Sequence, residues 1–310
     1  MNRIIPIEAA PRRRRPPDQK GFHDIRRLPD PEFDGVWESI IVPPGLKDRL
    51  LAQAVLNFTA RARLQKVHLP VHGIILMVGP PGTGKTSLAR GLASRTAASL
   101  TGAMNYIEVD PHALASAAHG KTQQAVAHLL GTVLAEQSSA APCIVLLDEV
   151  ETLAADRSKM SMEANPIDVH RATDAVLTQL DQLAADFPQL LFLATSNFSG
   201  AIDEAFLSRA DLVVTIDLPT PEACKAILLD TIARLAEAYP KLASLRTAPQ
   251  IAEAGEIAVG LDARRIRKAV LSALAHSKQI ATNPETLTAD AVLAAVQLAR
   301  AERANMEKRR

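Results

Sequence analysis

Hydrophobic and polar residues follow two different patterns along the chain. Between residues 71 and 218, short runs rich in Ile, Val and Leu alternate with longer segments of helical apolar spacing. The runs predict buried strands at 74–78, 106–109, 143–147, 190–194 and 212–216. Strands joined by helices favour a mostly parallel sheet with helices on both faces. Beyond Pro219 and Pro221 only the helical spacing of apolar residues continues, which predicts a small all-helical domain.

This pattern divides the chain into four parts. Residues 1–32 hold many prolines around the basic run Arg12–Arg15, and we predict that they form a disordered arm. Residues 33–70 lead into the core, residues 71–218 form the α/β domain and residues 219–310 the helical domain. A solubilising tail is the simplest role of the arm, and a contact with an acidic partner or with nucleic acid is the alternative.

Composition narrows the class of protein. The 310 residues carry 35 Lys and Arg against 34 Asp and Glu, so a broadly cationic surface for nucleic acid is not expected. The two cysteines, Cys143 and Cys224, exclude a disulfide scaffold and a four-cysteine zinc site. We find neither a secretory signal nor an apolar run near the ~18–20 residues that span a bilayer. These features predict a cytoplasmic protein without membrane contact.

The clearest motif is the glycine-rich turn Gly79–Thr86, with the sequence GPPGTGKT. It fits G-x-x-x-x-G-K-[ST] and lies between a predicted strand and a predicted helix, as a phosphate loop requires. Its glycines let backbone N–H groups turn towards phosphate oxygens, Lys85 supplies a cation for the β- and γ-phosphates, and the Thr86 hydroxyl suits Mg²⁺. The predicted phosphate-binding residues are Gly79, Pro80, Pro81, Gly82, Thr83, Gly84, Lys85, Thr86 and Ser87.

Acidic and amide side chains follow two of the predicted strands. Asp148 and Glu149 come directly after 143–147, and Asn197 follows 190–194 in the segment Thr-Ser-Asn. Because the carboxyl ends of parallel strands meet at one edge of a sheet, we expect Asp148 beside Mg²⁺. Glu149 is the predicted group that orients or deprotonates the attacking water. Asn197 is expected to hold this water or to sense the γ-phosphate, although an isolated Asn there is most often a turn residue.

Together, the phosphate loop, the two polar strand ends and the helical C-terminal part resemble an AAA+ ATPase. The resemblance implies an α/β domain with a parallel five-stranded sheet in the order 5-1-4-3-2, a small helical lid, and ATP with Mg²⁺ as cofactors. Arg209, at the end of the segment 202–209, corresponds to an arginine finger that reaches the γ-phosphate bound by the next subunit. Arg264, in Gly260–Arg264, corresponds to a second sensor that contacts phosphate within its own subunit. An ordinary cationic helix face is the alternative for Arg264.

The similarity narrows to the pachytene checkpoint and thyroid hormone receptor interactor ATPases and their bacterial relatives. Besides the phosphate loop it rests on residues 33–39, 148–153, 175–183 and 208–211. The resemblance implies a homo-hexamer that opens or disassembles a complex of a HORMA-domain protein, including one bound to a CD-NTase nucleotidyltransferase. Bacterial members act in CBASS-type cyclic-nucleotide antiphage systems, which implies that this chain restrains such a signal.

Two features depart from that family. About 30 residues precede the core, too few for the independent adaptor-binding domain of the animal members. The predicted pore loop, Leu114–Lys121, has no aromatic residue to grip an extended chain and offers Ala117, Ala118 and His119 instead. A further loop, 157–168, is either a second pore loop or a mobile connection.

Two other functions stay open on the sequence alone. A DNA-handling AAA+ protein of the loader type would use the Arg12–Arg15 run and the basic residues at 264–268, although aromatic stacking platforms are scarce. A nucleotide-gated binding module would use the same phosphate loop with negligible hydrolysis. Because Glu149 is a carboxylate, hydrolysis is chemically possible, and an ATP-driven protein remodeler is the favoured interpretation.

Overall fold

The computed structural model describes residues 21–63, 71–100, 102–110, 129–152, 166–197 and 202–308. The strands are β1 (Phe22–Leu28), β2 (Ile74–Val78), β3 (Met104–Val109), β4 (Cys143–Leu147), β5 (Leu190–Ser196) and β6 (Leu212–Thr215). The first six helices are α1 (Pro31–Ser39), α2 (Leu46–Ala60), α3 (Lys85–Ser99), α4 (Ala135–Ala140), α5 (Pro166–Asp186) and α6 (Glu204–Leu207). The remaining helices, called the helical lid below, are α7 (Pro221–Ala238), α8 (Pro249–Ile257), α9 (Ala263–Ala273), α10 (Lys278–Thr282) and α11 (Ala289–Lys308).

One sheet contains all these strands, in the order β1-β3-β4-β5-β2-β6. β2 pairs in parallel with β5 and β6, and β4 pairs in parallel with β3 and β5. The predicted α/β sheet with helical connections is therefore confirmed. Within the described ranges, no helix combines the length and the apolar character needed to cross a membrane.

The prediction of an all-parallel sheet of five strands is wrong, because the sheet has a sixth strand. β1 pairs antiparallel with β3, with Ile25 opposite Ile107 and Leu28 opposite Met104. This strand lies within residues 1–32, for which the sequence predicts a disordered arm. Leu28 is its one buried residue, so β1 has the charged, half-exposed pattern of an edge strand and lacks the apolar run that marks the other strands.

Alternate residues of the central strands form two cores, one on each face of the sheet. On one face Leu76 and Phe192 belong to a cluster with Leu180 of α5. On the other face Met77 belongs to a cluster with residues of α1, α2 and α3. Helices α1 and α3 approach closely at Gly91, where a Cβ atom would lie 2.7 Å from the Cβ of Trp37. The helix that follows the phosphate loop is thus fixed between the sheet and α1.

The helical lid has a core of its own and is tied to α1 by an arginine. Ile227, Ile266 and Val292 belong to this third cluster. Arg267 of α9 donates to the Asp230 carboxylate at 2.7 Å and to the Ser39 carbonyl oxygen at 2.7 Å. Ser39 is the last residue of α1, so this guanidinium joins the lid to the helix that packs on α3.

Candidate functional site

The turn between β2 and α3 has the backbone of a phosphate-binding loop. Gly82 and Gly84 have φ angles of 84° and 95°, in the left-handed region that glycine adopts without a steric penalty. The Thr83 hydroxyl donates to the Pro80 carbonyl oxygen at 2.9 Å and braces the turn. Residues from Lys85 onward are helical, so the N-terminal end of α3, with its positive dipole, faces this loop. A residue with a Cβ atom would adopt either conformation only with strain, and two such glycines are typical of a loop whose backbone N–H groups bind a phosphate group.

The helical lid lies directly against the phosphate loop. A Cβ atom at Gly82 would be 2.2 Å from Oδ1 of Asp262. Asp262 is the N-cap of α9, and its side chain accepts a hydrogen bond from the Arg265 backbone N–H at 2.9 Å. The backbone N–H of Arg264 donates to the Gly82 carbonyl oxygen at 3.2 Å. The first turn of α9 therefore touches the apex of the loop through its cap and its backbone.

Replacing Gly82 with alanine is expected to lower the free energy of unfolding by about 1–3 kcal/mol. About 1–2 kcal/mol comes from the left-handed backbone, and the rest from displacing the Asp262 cap. Chemical denaturation of the purified variant measures this loss. Gly35→Ala is the matched control, because a Cβ atom there meets nothing within 4 Å and alanine favours the helix α1. Equal stability of the Gly82 variant and the native protein would contradict the close contact between loop and lid.

Lys85 is the first residue of α3, and its side chain turns back over the loop. Its Nζ donates to the carbonyl oxygens of Gly79 and Pro80, at 2.8 and 2.9 Å. It also donates to Oδ1 of Asn197 at 3.0 Å. The side chain is buried, so these three acceptors satisfy an ammonium group that has little contact with solvent.

Burial and charge act in opposite directions on Lys85. Burial lowers the pKa of Lys85 from its ordinary value, and the charge of Arg264 lowers it further. The nearby carboxylates of Glu151, Asp148 and Glu149 raise this pKa and offset part of the effect. An additional anion at the loop would also stabilise the ammonium form. The charges therefore suit a site that binds a phosphate group.

Asp148 follows β4 and is held by two hydroxyl groups. The Thr86 hydroxyl donates to Oδ1 of Asp148 at 2.8 Å. The Thr195 hydroxyl donates to the same oxygen in a short hydrogen bond. Mg²⁺ prefers oxygen ligands and takes few of them from the protein, so one hydroxyl and one carboxylate beside the phosphate loop fit this ion. In the described part of the chain, no three or more His, Cys, Asp or Glu residues form a group suited to hold a metal ion.

Glu149 and Asn197 complete a hydrogen-bonded chain that begins at Lys85. Nδ2 of Asn197 donates to Oε1 of Glu149 at 3.2 Å, and its Oδ1 accepts from Lys85 as described above. The backbone N–H of Asn197 donates to Oε1 of Glu151 at 3.0 Å. Glu149 has φ of 52°, a left-handed conformation that is uncommon for a residue with a side chain. One amide group thus connects the loop cation with the predicted base.

The two predicted arginines lie in different surroundings. Arg264 is exposed on the first turn of α9, beside the loop, as its influence on Lys85 requires. Arg209 follows α6 and forms a bidentate ion pair with Asp181 of α5, with both N–O distances at 2.8 Å. Its third contact is the Ala205 carbonyl oxygen at 2.6 Å, and the hydrogen bond to Asp181 raises the pKa of Arg209. The structure therefore gathers Lys85, Thr86, Asp148, Glu149 and Asn197, whereas Arg209 is engaged elsewhere.

Some predicted functional segments lie outside the described residues. They are the basic run at 12–15, the predicted pore loop at 114–121 and residues 157–165 of the second loop.

Three residues near the site carried no predicted role. Thr195 lies on β5 and Asn197 directly follows this strand, so the period-two pattern places both side chains on one face. Glu151 is two residues beyond Glu149, and the signal for it was the repeated acidic spacing after β4. Ile40, beyond α1, lies within 4.0 Å of where a Cβ atom of Gly84 would be. An apolar side chain therefore borders the phosphate loop, and nothing in its local sequence distinguishes it from a core residue.

The chain is similar in sequence and in fold to known proteins. Residues 75–218 match the ATPase family associated with various cellular activities (AAA). CD-NTase-associated protein 6 of Pseudomonas aeruginosa is 52% identical over 282 residues, covering 91% of this chain and 93% of that protein. The pachytene checkpoint protein 2 homolog of Oryza sativa subsp. indica is 34% identical over 306 residues, covering 87% of this chain and 63% of that protein. A chain of the solved HORMA:CdnC:Trip13 complex of E. coli MS115-1 has the same fold, with a TM-score of 0.69 and 18% identity, covering 89% of this chain and 95% of that one.

Proposed function

Because this chain belongs to the AAA ATPase family, within the group of CD-NTase-associated protein 6 and the pachytene checkpoint proteins, we propose that it hydrolyses ATP to remodel a HORMA-domain protein. The observation that carries the catalytic part is the hydrogen-bonded chain from Lys85 through Asn197 to Glu149. This chain joins the cation expected at the γ-phosphate to a carboxylate able to accept a proton. A module that only binds nucleotide has no need for the hydrogen bond between Asn197 and Glu149.

ATP binding follows from the loop geometry. The backbone N–H groups of residues 82–84, the N-terminal end of α3 and the Lys85 ammonium would bind the triphosphate. Thr86 and Asp148 would hold Mg²⁺, directly or through water, and the ion supplies neutralisation of charge on the β- and γ-phosphates. Ile40 borders the loop at Gly84 and would provide a nonpolar surface for the base of the nucleotide.

Hydrolysis requires a water molecule in line with the bond between the γ-phosphorus and the β–γ bridging oxygen. Glu149 orients this water and accepts its proton while the water oxygen bonds to phosphorus and ADP leaves with the bridging oxygen. Asn197 holds Oε1 of Glu149 through its Nδ2 and the Lys85 ammonium through its Oδ1, so the base and the cation keep a fixed separation. Arg264 lies beside the loop and would contact the γ-phosphate of its own subunit.

A homo-hexamer is part of the proposal because of Arg209. Its guanidinium pairs with Asp181 and is separate from the Lys85–Asn197–Glu149 chain. A trans role explains this separation, since the arginine would act on the nucleotide held by the adjacent subunit. Side-chain exposures of 24% for Arg209 and 40% for Asp181 leave the pair within reach of a neighbour. Asp181 would then hold the finger until a γ-phosphate competes for it.

The partners are inferred from the relatives. One relative carries the name CD-NTase-associated, and a chain of the same fold occurs in a complex named HORMA:CdnC:Trip13. We infer that the client of this chain is a HORMA-domain protein bound to a CD-NTase, and that its release restrains a CBASS-type antiphage signal. The helical lid contacts the phosphate loop and so offers a way to transmit the nucleotide state. At Gly82 the lid makes two contacts, one through the backbone N–H of Arg264 and one through the side chain of Asp262.

Purified components test this proposal directly. With ATP and Mg²⁺, the chain is expected to dissociate a preformed complex of a HORMA-domain protein and a CD-NTase, as followed by size-exclusion chromatography. A non-hydrolysable ATP analogue should leave the complex intact, and so should the Lys85→Ala variant. A complex that stays intact while ATP is hydrolysed at a measurable rate would refute the assignment of the client and leave the ATPase assignment standing.

A further inference from the structure

We propose that Thr195 is a positioning residue for ATP hydrolysis, whose one hydroxyl group orients Asp148 and Glu149, the first two residues after β4. The hydroxyl donates its proton to Oδ1 of Asp148 and accepts the backbone N–H of Glu149 at 3.2 Å. The inference rests on the proposed ATPase function and adds to it a residue that contacts neither the phosphates nor the water.

The register of the sheet explains how one side chain reaches both residues. β4 and β5 are parallel neighbours, and Leu147 pairs with Ala194. The next residue on each strand, Asp148 and Thr195, therefore stands beside the other at the sheet edge. Thr195 is 1% exposed, so its hydroxyl has no alternative partner in bulk water. A hydroxyl has one proton to donate and lone pairs left to accept, and both capacities are used here.

The backbone of Glu149 makes this contact consequential. Its φ of 52° places the residue in a region that is disfavoured for side chains with a Cβ atom, so surrounding interactions must hold it there. The acceptor provided by Thr195 acts on the backbone N–H of Glu149, while Asn197 acts on its carboxylate. Loss of the Thr195 acceptor would let this peptide rotate and move the carboxylate away from the attacking water.

A purely structural role makes a different prediction. Thr195 lies in a buried strand, where a β-branched side chain packs well whether or not it carries a hydroxyl. If packing were its only role, valine would replace it without effect on catalysis. If the hydroxyl orients Asp148 and Glu149, valine would slow hydrolysis and leave ATP binding to the loop and Lys85, while serine would restore the rate.

The experiment measures kcat, KM and the affinity for a fluorescent ATP analogue in the full-length protein. Thr195→Val is expected to lower kcat about 10–100-fold, as outer-shell partners of catalytic groups commonly do, with KM and analogue affinity within about twofold. Thr195→Ser should return kcat to within about threefold of the native value, because it keeps the hydroxyl. Rapid quenching during turnover should find ATP as the main bound nucleotide in the valine variant.

Thr96→Val is the matched control. Thr96 is also buried in the α/β part, and its hydroxyl donates to the Leu92 carbonyl oxygen at 2.8 Å, one turn back in α3. This control should keep kcat near the native value. If Thr195→Val does not fold, as judged by thermal unfolding, Thr195→Ala takes its place, because it removes the hydroxyl without adding a methyl group beside Asp148.

The outcomes separate the two proposals. Hydrolysis by the native protein together with a native kcat for a folded Thr195→Val or Thr195→Ala variant overturns the role of Thr195 and leaves the ATPase proposal intact. A serine variant as slow as the valine variant overturns it as well. Absence of hydrolysis by the native protein with every client mixture overturns the proposed function itself.

Discussion

Replacing Arg209 with alanine is expected to lower kcat for ATP hydrolysis by about 10³–10⁵-fold while the affinity for ATP stays near the native value. An arginine finger stabilises charge that develops on the transferred phosphoryl group, so its loss affects the transition state more than the ground state. Steady-state hydrolysis and equilibrium binding of an ATP analogue measure the two effects. A nucleotide-gated binding module hydrolyses ATP negligibly with or without Arg209, so a large loss of kcat also separates the two function classes.

Arg303→Ala is the matched control for this variant. Arg303 has a side-chain exposure of 26% and an ion pair with Glu307 at 2.6 Å, which resembles the environment of Arg209 but lies on the last helix of the lid. The trans assignment has its own check in mixtures. Mixing Arg209→Ala with Lys85→Ala subunits should recover hydrolysis, since an intact loop of the first variant can meet an intact finger of the second. No recovery from stable mixed oligomers would contradict a finger that acts between subunits.

Replacing Glu149 with glutamine is expected to lower kcat by about 10²–10⁴-fold and to leave ATP bound. The amide keeps the shape of the side chain but cannot take a proton from the attacking water. The loop, Lys85 and Thr86 remain, so the affinity for the triphosphate should persist. Hydrolysis assays and quantification of the bound nucleotide after gel filtration measure both expectations.

Glu256→Gln provides the control, because Glu256 is exposed on α8 of the lid and lies outside the site. Its kcat should match that of the native protein. A Glu149→Gln protein that binds ATP in a stable assembly and still hydrolyses it at the native rate would remove Glu149 from the mechanism. The base would then have to be sought among other carboxylates, beginning with Glu151.

Local motifs allowed much of the site to be predicted. The phosphate loop is contiguous, so Gly79–Thr86 could be identified from residue order alone, and the apolar run before it fixed the preceding strand. Asp148 and Glu149 could be predicted because strand ends in a parallel sheet meet at one edge. The edge strand β1 was missed because three of its seven residues are charged and prolines lie near it on both sides, a composition that locally resembles an unfolded segment.

Relations between strands were harder to predict. The role proposed for Thr195 depends on the register of β4 with β5, and no sequence motif reports a register. The pairing of Arg209 with Asp181 likewise joins residues from α5 and the turn after α6, which are 28 positions apart in the chain. Long-range pairs such as these arise from packing of the whole domain, so local pattern alone does not predict them.

Strand β1 also brings two distant points of the chain together. The Asp110 backbone N–H donates to the Gly21 carbonyl oxygen at 2.9 Å, just beyond the paired residues Phe22 and Val109. Gly21 and Asp110 therefore lie side by side at one corner of the sheet. Because β1 pairs antiparallel with β3, a displacement of either residue acts on the same pair of strands, at the end of the sheet opposite β6.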